Sequence, residues 1–138
     1  MDPLAFLHQP LRWLRAITRY RGTHSAAPNF AYELCCRKIA ARREELDLRS
    51  WRVAMNAAAP IRGETIERFT QMFGPVGFER STFKGGYGLA EATLKVSMGS
   101  LSQSPSSLAL DAAALEDNRV ERAAASTADV RVLVIRSS

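Results

Sequence analysis

An apolar stripe of helical period that repeatedly gives way to short extended runs most constrains the fold. Leu4, Leu7, Leu11, Leu14 and Ile17 recur every three or four residues, so one helical face is apolar while Arg12, Arg15 and Arg19 line another. Pro10 divides this pattern into a short turn and a longer helix. Thr23–Ala26 reads as extended, and Pro28-Asn29 opens a second helix running to about Arg43, with Asn29 as its N-cap. Trp51–Asn56 has the aromatic and β-branched content of a strand, and Ala57–Pro60 is a loop of small residues. Ile66, Phe69 and Phe73 then share one face of a helix over Arg62–Phe73, which Gly74-Pro75 stops. Phe78 and Phe83 flank a short extended segment, a glycine-rich loop follows, and Leu94–Met98 is a further strand candidate. Strands alternating with helices predict an α/β fold in which helices pack on a largely parallel sheet.

The chain has 138 residues, one domain at most. After Met98 the composition shifts. Residues 101–128 form a low-complexity tract, serine-rich at first and alanine-rich from Ala112, which reads as flexible. Within it Asp111–Leu115 can begin a short helix, and Val130–Ile135 beyond it is apolar enough for a last strand. No apolar run approaches the ~20 residues of a membrane span, and the first eight residues lack a signal layout, so a cytoplasmic location is expected. Cys35 and Cys36 are adjacent, which suits neither a zinc site nor a structural disulfide; small apolar residues on a buried helix face are expected. The net charge of +5 is uneven: residues 1–52 hold ten Lys/Arg against five Asp/Glu, and the remainder nine against nine. Such a stretch suits nucleic acid or an anionic membrane, but is more often the solvated side of amphipathic helices, and the expectation is no nucleic-acid partner.

Chemistry concentrates in Gly85-Gly86-Tyr87-Gly88 and the residues after it. Glycines let backbone amides approach a ligand, a tyrosine face can stack on a nucleobase, and the lone carboxylate of Glu91 with substrate phosphates can hold Mg²⁺. On composition alone, a turn between strands with a surface glutamate explains the same residues.

The wording around the loop points further. Tyr87-Gly88-Leu89-Ala90-Glu91-Ala92-Thr93-Leu94 resembles the nucleotide and metal loop of adenylate-forming enzymes, in the spelling of fatty-acyl-AMP ligases. Pro3–Leu7, Trp13–Ile17, Arg19–Arg21, Ala27–Leu34, Leu46–Ala54 and Arg62–Phe73 resemble that family in order and at its spacing. The resemblance implies that residues 1–138 are part of the AMP-binding domain, a slice of the large N-terminal domain of such an enzyme. It implies a ligase that uses ATP and Mg²⁺ to activate a long-chain fatty acid as acyl-AMP, for transfer to an acyl carrier protein or a polyketide or peptide synthase. Pro105–Val120 resembles an extra segment of the acyl-AMP branch. A fatty-acyl-CoA ligase, a non-catalytic remnant and a small basic binding module are the alternatives.

Site residues follow from the same resemblance. Tyr87 would lie on the adenine, Gly88 and Leu89 would supply close backbone, and Glu91 would bind the metal; Ala90, in the same nucleotide-binding set, stands where many adenylating enzymes have a threonine and the fatty-acyl-AMP branch an alanine. Asn56-Ala57-Ala58-Ala59-Pro60 resembles the adenine-contacting turn, commonly Asn-Gly-Ala-Glu-Pro, so Ala57, Ala58, Ala59 and Pro60 are nucleotide-binding candidates. Here the glycine has become Ala57 and the glutamate Ala59; an alanine at positive φ would cost stability or bend the turn. Lys84 and Gly85 stand where the family has an aromatic and a proline. His24, Phe30 and Tyr32 are candidates for an acyl pocket, although their spacing fits core packing equally. The family's phosphate-gripping loop, ribose aspartate and catalytic lysine have no counterpart in these residues, so the expectation is that this chain alone forms no acyl-adenylate.

Overall fold

A computed structural model describes residues 2–39, 45–88, 97–98, 105–123 and 130–135. Pro10 does divide the first apolar stripe, into α1 (Pro3–His8) and α2 (Leu11–Tyr20). The Asp2 carboxylate caps α1 by accepting from the Leu4 amide. Leu11, Leu14 and Ile17 are the buried residues of α2, as their spacing predicts. Strand β1 (His24–Ala27) comes next, then α3 (Asn29–Lys38), β2 (Val53–Asn56) and α4 (Gly63–Phe73). Strands β3 (Phe83–Tyr87) and β4 (Ser97–Met98) complete a sheet of order β1-β2-β3-β4. The first three strands are parallel, with His24 opposite Val53 and Ala54 opposite Phe83; β4 runs antiparallel to β3.

Helices α3 and α4 pack on each other and on the sheet face that carries Ala54 and Phe83. Tyr32, Cys35 and Cys36 from α3 meet Ile66, Phe69 and Phe73 from α4, with Leu46, Leu48 and Trp51 closing the core. Phe69 is its aromatic hub, with ring centroids of Phe73, Phe78 and Tyr32 at 4.4, 4.9 and 5.3 Å. Both cysteines are buried and free, as expected, and burial pushes the Cys36 thiol up to about 11 and that of Cys35 higher still.

The structure corrects four local expectations. Pro28, extended at φ −73° and ψ 161°, is the N-cap of α3, and Asn29 is its first helical residue, with its side chain engaged elsewhere. The segment between Phe78 and Phe83 is not extended but holds a 3₁₀ turn at Arg80–Thr82. Gly85, Gly86 and Tyr87 are not a loop but the end of β3, Gly85 paired with Asn56 and Gly86 with Met98. The low-complexity tract is partly ordered. Ser106–Asp111 forms β5, which pairs antiparallel with β6 (Val130–Ile135), and α5 (Ala112–Glu116) follows β5. Asp111 caps α5 by accepting from the Ala114 amide, and α5 and β6 stand where a short helix and a last strand are expected. Leu94, in the expected fourth strand, lies outside the described residues. Among the described residues no helix is long and apolar enough to cross a membrane.

Candidate functional site

In an open sheet of parallel strands, ligands bind beyond the carboxyl ends of the strands. Here those ends are Ala27 of β1, Asn56 of β2 and Tyr87 of β3. The sequence places at them the Pro28-Asn29-Phe30 corner, the Ala57–Pro60 turn and the Tyr87-Gly88 exit. Three candidate groups far apart in sequence are therefore brought to one edge of the sheet.

The turn is held on both sides. The Ala57 amide donates to the Ala27 carbonyl at 3.4 Å, bridging β2 to β1. Toward β3 there is no spare room: a Cβ at Gly86 would stand 3.2 Å from Met55 Sδ and 3.3 Å from Ala57 Cβ. Ala58 has φ 65°, whereas Ala57 is not among the residues of positive φ. The strain foreseen for Ala57 thus falls one residue later, where an alanine costs about 1 kcal/mol against glycine. Replacing the family's glycine by Ala57 adds a methyl group against Gly86 without forcing the backbone. Ala58 and Pro60 are exposed, Ala57 and Ala59 half-buried.

Beneath the turn lies a buried amide cluster that the sequence reading missed. Asn56 Nδ2 donates to Asn29 Oδ1 at 3.1 Å, and the Arg62 amide donates to the same oxygen at 3.1 Å. Asn29 Nδ2 in turn donates to Thr65 Oγ1 at 3.1 Å. One signal was present in the sequence: two asparagines at the ends of extended runs, Asn29 just beyond β1 and Asn56 closing β2, are costly to bury unless they are hydrogen-bonded.

The acyl-pocket candidates separate. Phe30, one residue beyond Asn29, is 51% exposed and faces solvent at the carboxyl edge. Tyr32 is fully buried, its ring among Trp13, Phe69 and Phe83 and its hydroxyl donating to the Met55 carbonyl at 3.0 Å. Burial raises that phenol far above its usual range, so it remains a donor. Tyr32 is packed in the core among the described residues. His24 begins β1, three residues back from its carboxyl end, and is exposed with Nδ1 2.9 Å from Thr23 Oγ1. The structure does not bring His24 to the edge that holds the turn.

On the third strand, Tyr87 is 58% exposed and Gly88 is exposed. Leu89, Ala90 and Glu91 lie outside the described residues. Lys84, where the family has an aromatic, is buried on the sheet face opposite Phe83, and burial lowers its pKa. A cavity of ≈ 510 Å³ bordered by Arg49, Arg52, Glu79 and Thr82 opens at the other end of the sheet, toward the start of β2 and β3.

The family model described as AMP-binding enzyme matches residues 1–133. The chain belongs to the AMP-binding enzyme family. Within that family it is 52% identical over 121 residues to the medium-chain-fatty-acid–[acyl-carrier-protein] ligase JamA of Moorena producens, covering 87% of this chain and 20% of the relative. It is 36% identical over 126 residues to the long-chain-fatty-acid–AMP ligase FadD32 of Mycolicibacterium smegmatis, again covering 87% and 20%. The structure of the fatty acyl-adenylate ligase from L. pneumophila, in complex with acyl adenylate and pyrophosphate, superposes with a TM-score of 0.89 at 44% identity. That match covers 97% of this chain and 24% of the ligase. The chain therefore spans about a fifth of the length of the curated AMP-binding relatives it matches.

Proposed function

We propose that this chain is the part of a fatty-acyl-AMP ligase that carries the adenine turn and the helix on the acyl side. The ligase would activate a medium- or long-chain fatty acid with ATP and pass the acyl group to an acyl carrier protein. The observation that carries the reading is the meeting of the Ala57–Pro60 turn, the Tyr87-Gly88 exit and the Phe30 corner at one carboxyl edge. In the reaction the fatty carboxylate attacks the α-phosphorus of ATP, forming the acyl–phosphate bond as pyrophosphate leaves. The protein's share is alignment and charge neutralisation.

Each residue of the edge has a part in this. The turn presents backbone of Ala57, Ala58 and Ala59 to the adenine edge, with Pro60 fixing its exit. Tyr87, free of the core, offers its ring to the face of the base. Phe30 offers apolar surface to the start of the acyl chain. His24, one strand-length away from that edge, is the weakest of the acyl candidates, and any contact it makes would be with the far end of a chain. Glu91 with the ATP phosphates is an oxygen donor set that suits Mg²⁺, which would neutralise phosphate charge when bound. Localisation in the cytoplasm, where ATP is supplied, belongs to the same reading.

Binding tests the proposal directly. A hydrolysis-resistant acyl-adenylate, such as a decanoyl sulfamoyl adenosine, should raise the melting temperature of the purified chain, and Tyr87→Ala should reduce the rise. A larger rise with decanoyl coenzyme A than with the adenylate would favour the acyl-CoA ligase alternative. No rise with the adenylate at any concentration up to millimolar would refute nucleotide binding by this edge.

A further inference from the structure

Asn29 joins three pieces of the edge through one side chain. Its side chain is 5% exposed and makes three hydrogen bonds. Oδ1 accepts from Asn56 Nδ2, the side chain from which the nucleotide turn departs, and from the Arg62 amide, where the turn ends and α4 begins. Nδ2 donates to Thr65 Oγ1 in the first turn of α4. The residue itself opens α3, and its neighbour Phe30 is the exposed aromatic of the acyl side. Asn56 is 1% exposed; its Nδ2 donates to Asn29 while its Oδ1 has no hydrogen-bond partner among the described residues, so the bond to Asn29 is what orients that amide. Breaking a buried cluster of this kind leaves further polar atoms unpaired, which makes the three bonds of Asn29 a register device.

From this geometry we infer that Asn29 is a positioning residue. It fixes both ends of the Asn56–Arg62 turn against the helix on the acyl side, so that the two halves of the ligand edge move as one body. It touches neither base nor acyl chain; it acts through Asn56 and the Arg62 amide. The inference rests on the ligase reading above for its functional consequence, but its structural content stands without it.

The experiment uses the full chain in four versions: wild type, Asn29→Ala, Asn29→Asp and Thr65→Val. Asn29→Ala removes all three bonds. Asn29→Asp keeps an acceptor for Asn56 Nδ2 and the Arg62 amide and can accept from the Thr65 hydroxyl. Thr65→Val deletes only the bond to α4. The first readout is the amide resonances and hydrogen exchange of Ala57, Ala58, Ala59 and Arg62. Asn29→Ala should shift the turn amides and strip protection from Arg62, whereas Asn29→Asp and Thr65→Val should leave them near wild type. Ile17→Ala, a core change in α2, controls for general destabilisation and should leave the turn amides in place. The second readout is affinity for decanoyl sulfamoyl adenosine, which Asn29→Ala should weaken by about tenfold or more and Asn29→Asp should restore. Turn amides in Asn29→Ala that superimpose on wild type overturn the inference, as does undiminished affinity in that variant. If the wild-type chain does not bind the adenylate, the nucleotide reading fails, and the amide readout alone decides the role of Asn29.

Discussion

The close approach of Gly86 to Ala57 allows a sharp test, because it places a strand and the Ala57–Pro60 turn within a methyl group of each other. Gly86→Ala would put a Cβ 3.3 Å from Ala57 Cβ and 3.2 Å from Met55 Sδ. Met55 is flexible and can give way. Ala57 Cβ is fixed to the backbone and can retreat only with the turn. Overpacking of this kind costs about 1–3 kcal/mol. Ala57→Gly alone should cost about 0.5–1 kcal/mol, because φ at Ala57 is not positive and the glycine only frees the unfolded chain. In the double variant the fixed neighbour is gone, so only the Met55 contact remains. The combined loss should then fall short of the sum by roughly 1 kcal/mol, well outside the ~0.3–0.5 kcal/mol scatter expected of independent sites. Urea denaturation of the four proteins, with equal slopes required, measures it. Additive losses would show that strand and turn do not meet as described, and the packing argument for the turn's position would fall with them.

Other expectations concern the same core and edge. Ala58→Gly, at φ 65°, should be neutral or stabilising, unlike Ala57→Gly one residue earlier; equal losses at both would contradict the turn geometry. Phe69→Ala should cost about 3–5 kcal/mol in the same denaturation assay, since the ring is fully buried among five aromatic neighbours; a loss below ~1 kcal/mol would mean the aromatic hub is misassigned. The buried thiols predict a pH effect. Because the Cys36 pKa is raised from 9.0 to about 11 in the folded chain, the protonated form is favoured by folding. Its contribution is therefore complete below pH 9 and lost as the pH rises toward 11. The melting temperature should fall over that window, less steeply in Cys36→Ala, and an unchanged slope in that variant would argue against the burial. The exposed side chains of Leu4, Tyr20, Phe30, Tyr87 and Val120 predict self-association of the isolated chain; a concentration-independent monomer in sedimentation would oppose this.

Elements whose identity depends on side-chain period were legible in the sequence. The stripe from Leu11 to Ile17, the break at Pro10 and the Ile66-Phe69-Phe73 face all come from spacing that burial keeps, whereas Leu4 and Leu7 of the same stripe lie exposed on α1. Where the deciding factor is a partner distant in sequence, the reading fails. Gly85 and Gly86 look like a loop because glycine is poor in strands, yet they pair with Asn56 and Met98. Their lack of side chains is what admits Met55 and Ala57 so close. Val130–Ile135 is legible as a strand from its apolar run, but its partner Ser106–Asp111 lies in the serine-rich tract and reads as flexible, because only the distant pairing orders it. Tyr32 was ambiguous between pocket and core, and only its aromatic neighbours decide for the core.

Asn29 is the instructive case for the site. A proline-asparagine pair before a helical run is a sound N-cap signal, since an asparagine side chain can accept from the first free amides of a helix. What defeats it is competition for that side chain. Pro28 is already extended and takes the cap position, which moves Asn29 into the helix and turns its amide inward. There it meets Asn56, 27 residues on, and the Arg62 amide, 33 residues on. A cap would have served one helix end, whereas the observed bonds serve two helix starts and the turn between them. The Ala57–Pro60 turn departs at Ala57 and Ala59 from the Asn-Gly-Ala-Glu-Pro wording that it resembles; on the positioning inference its place is set from below by Asn29 and from the side by Gly86. If so, variation at Ala57 and Ala59 should be tolerated by the fold so long as Asn29 and Gly86 are kept. Restoring Glu at Ala59, a half-buried position beside an exposed one, should change stability by less than ~0.5 kcal/mol. A large loss on Ala59→Glu would mean that the turn is held by its own side chains after all.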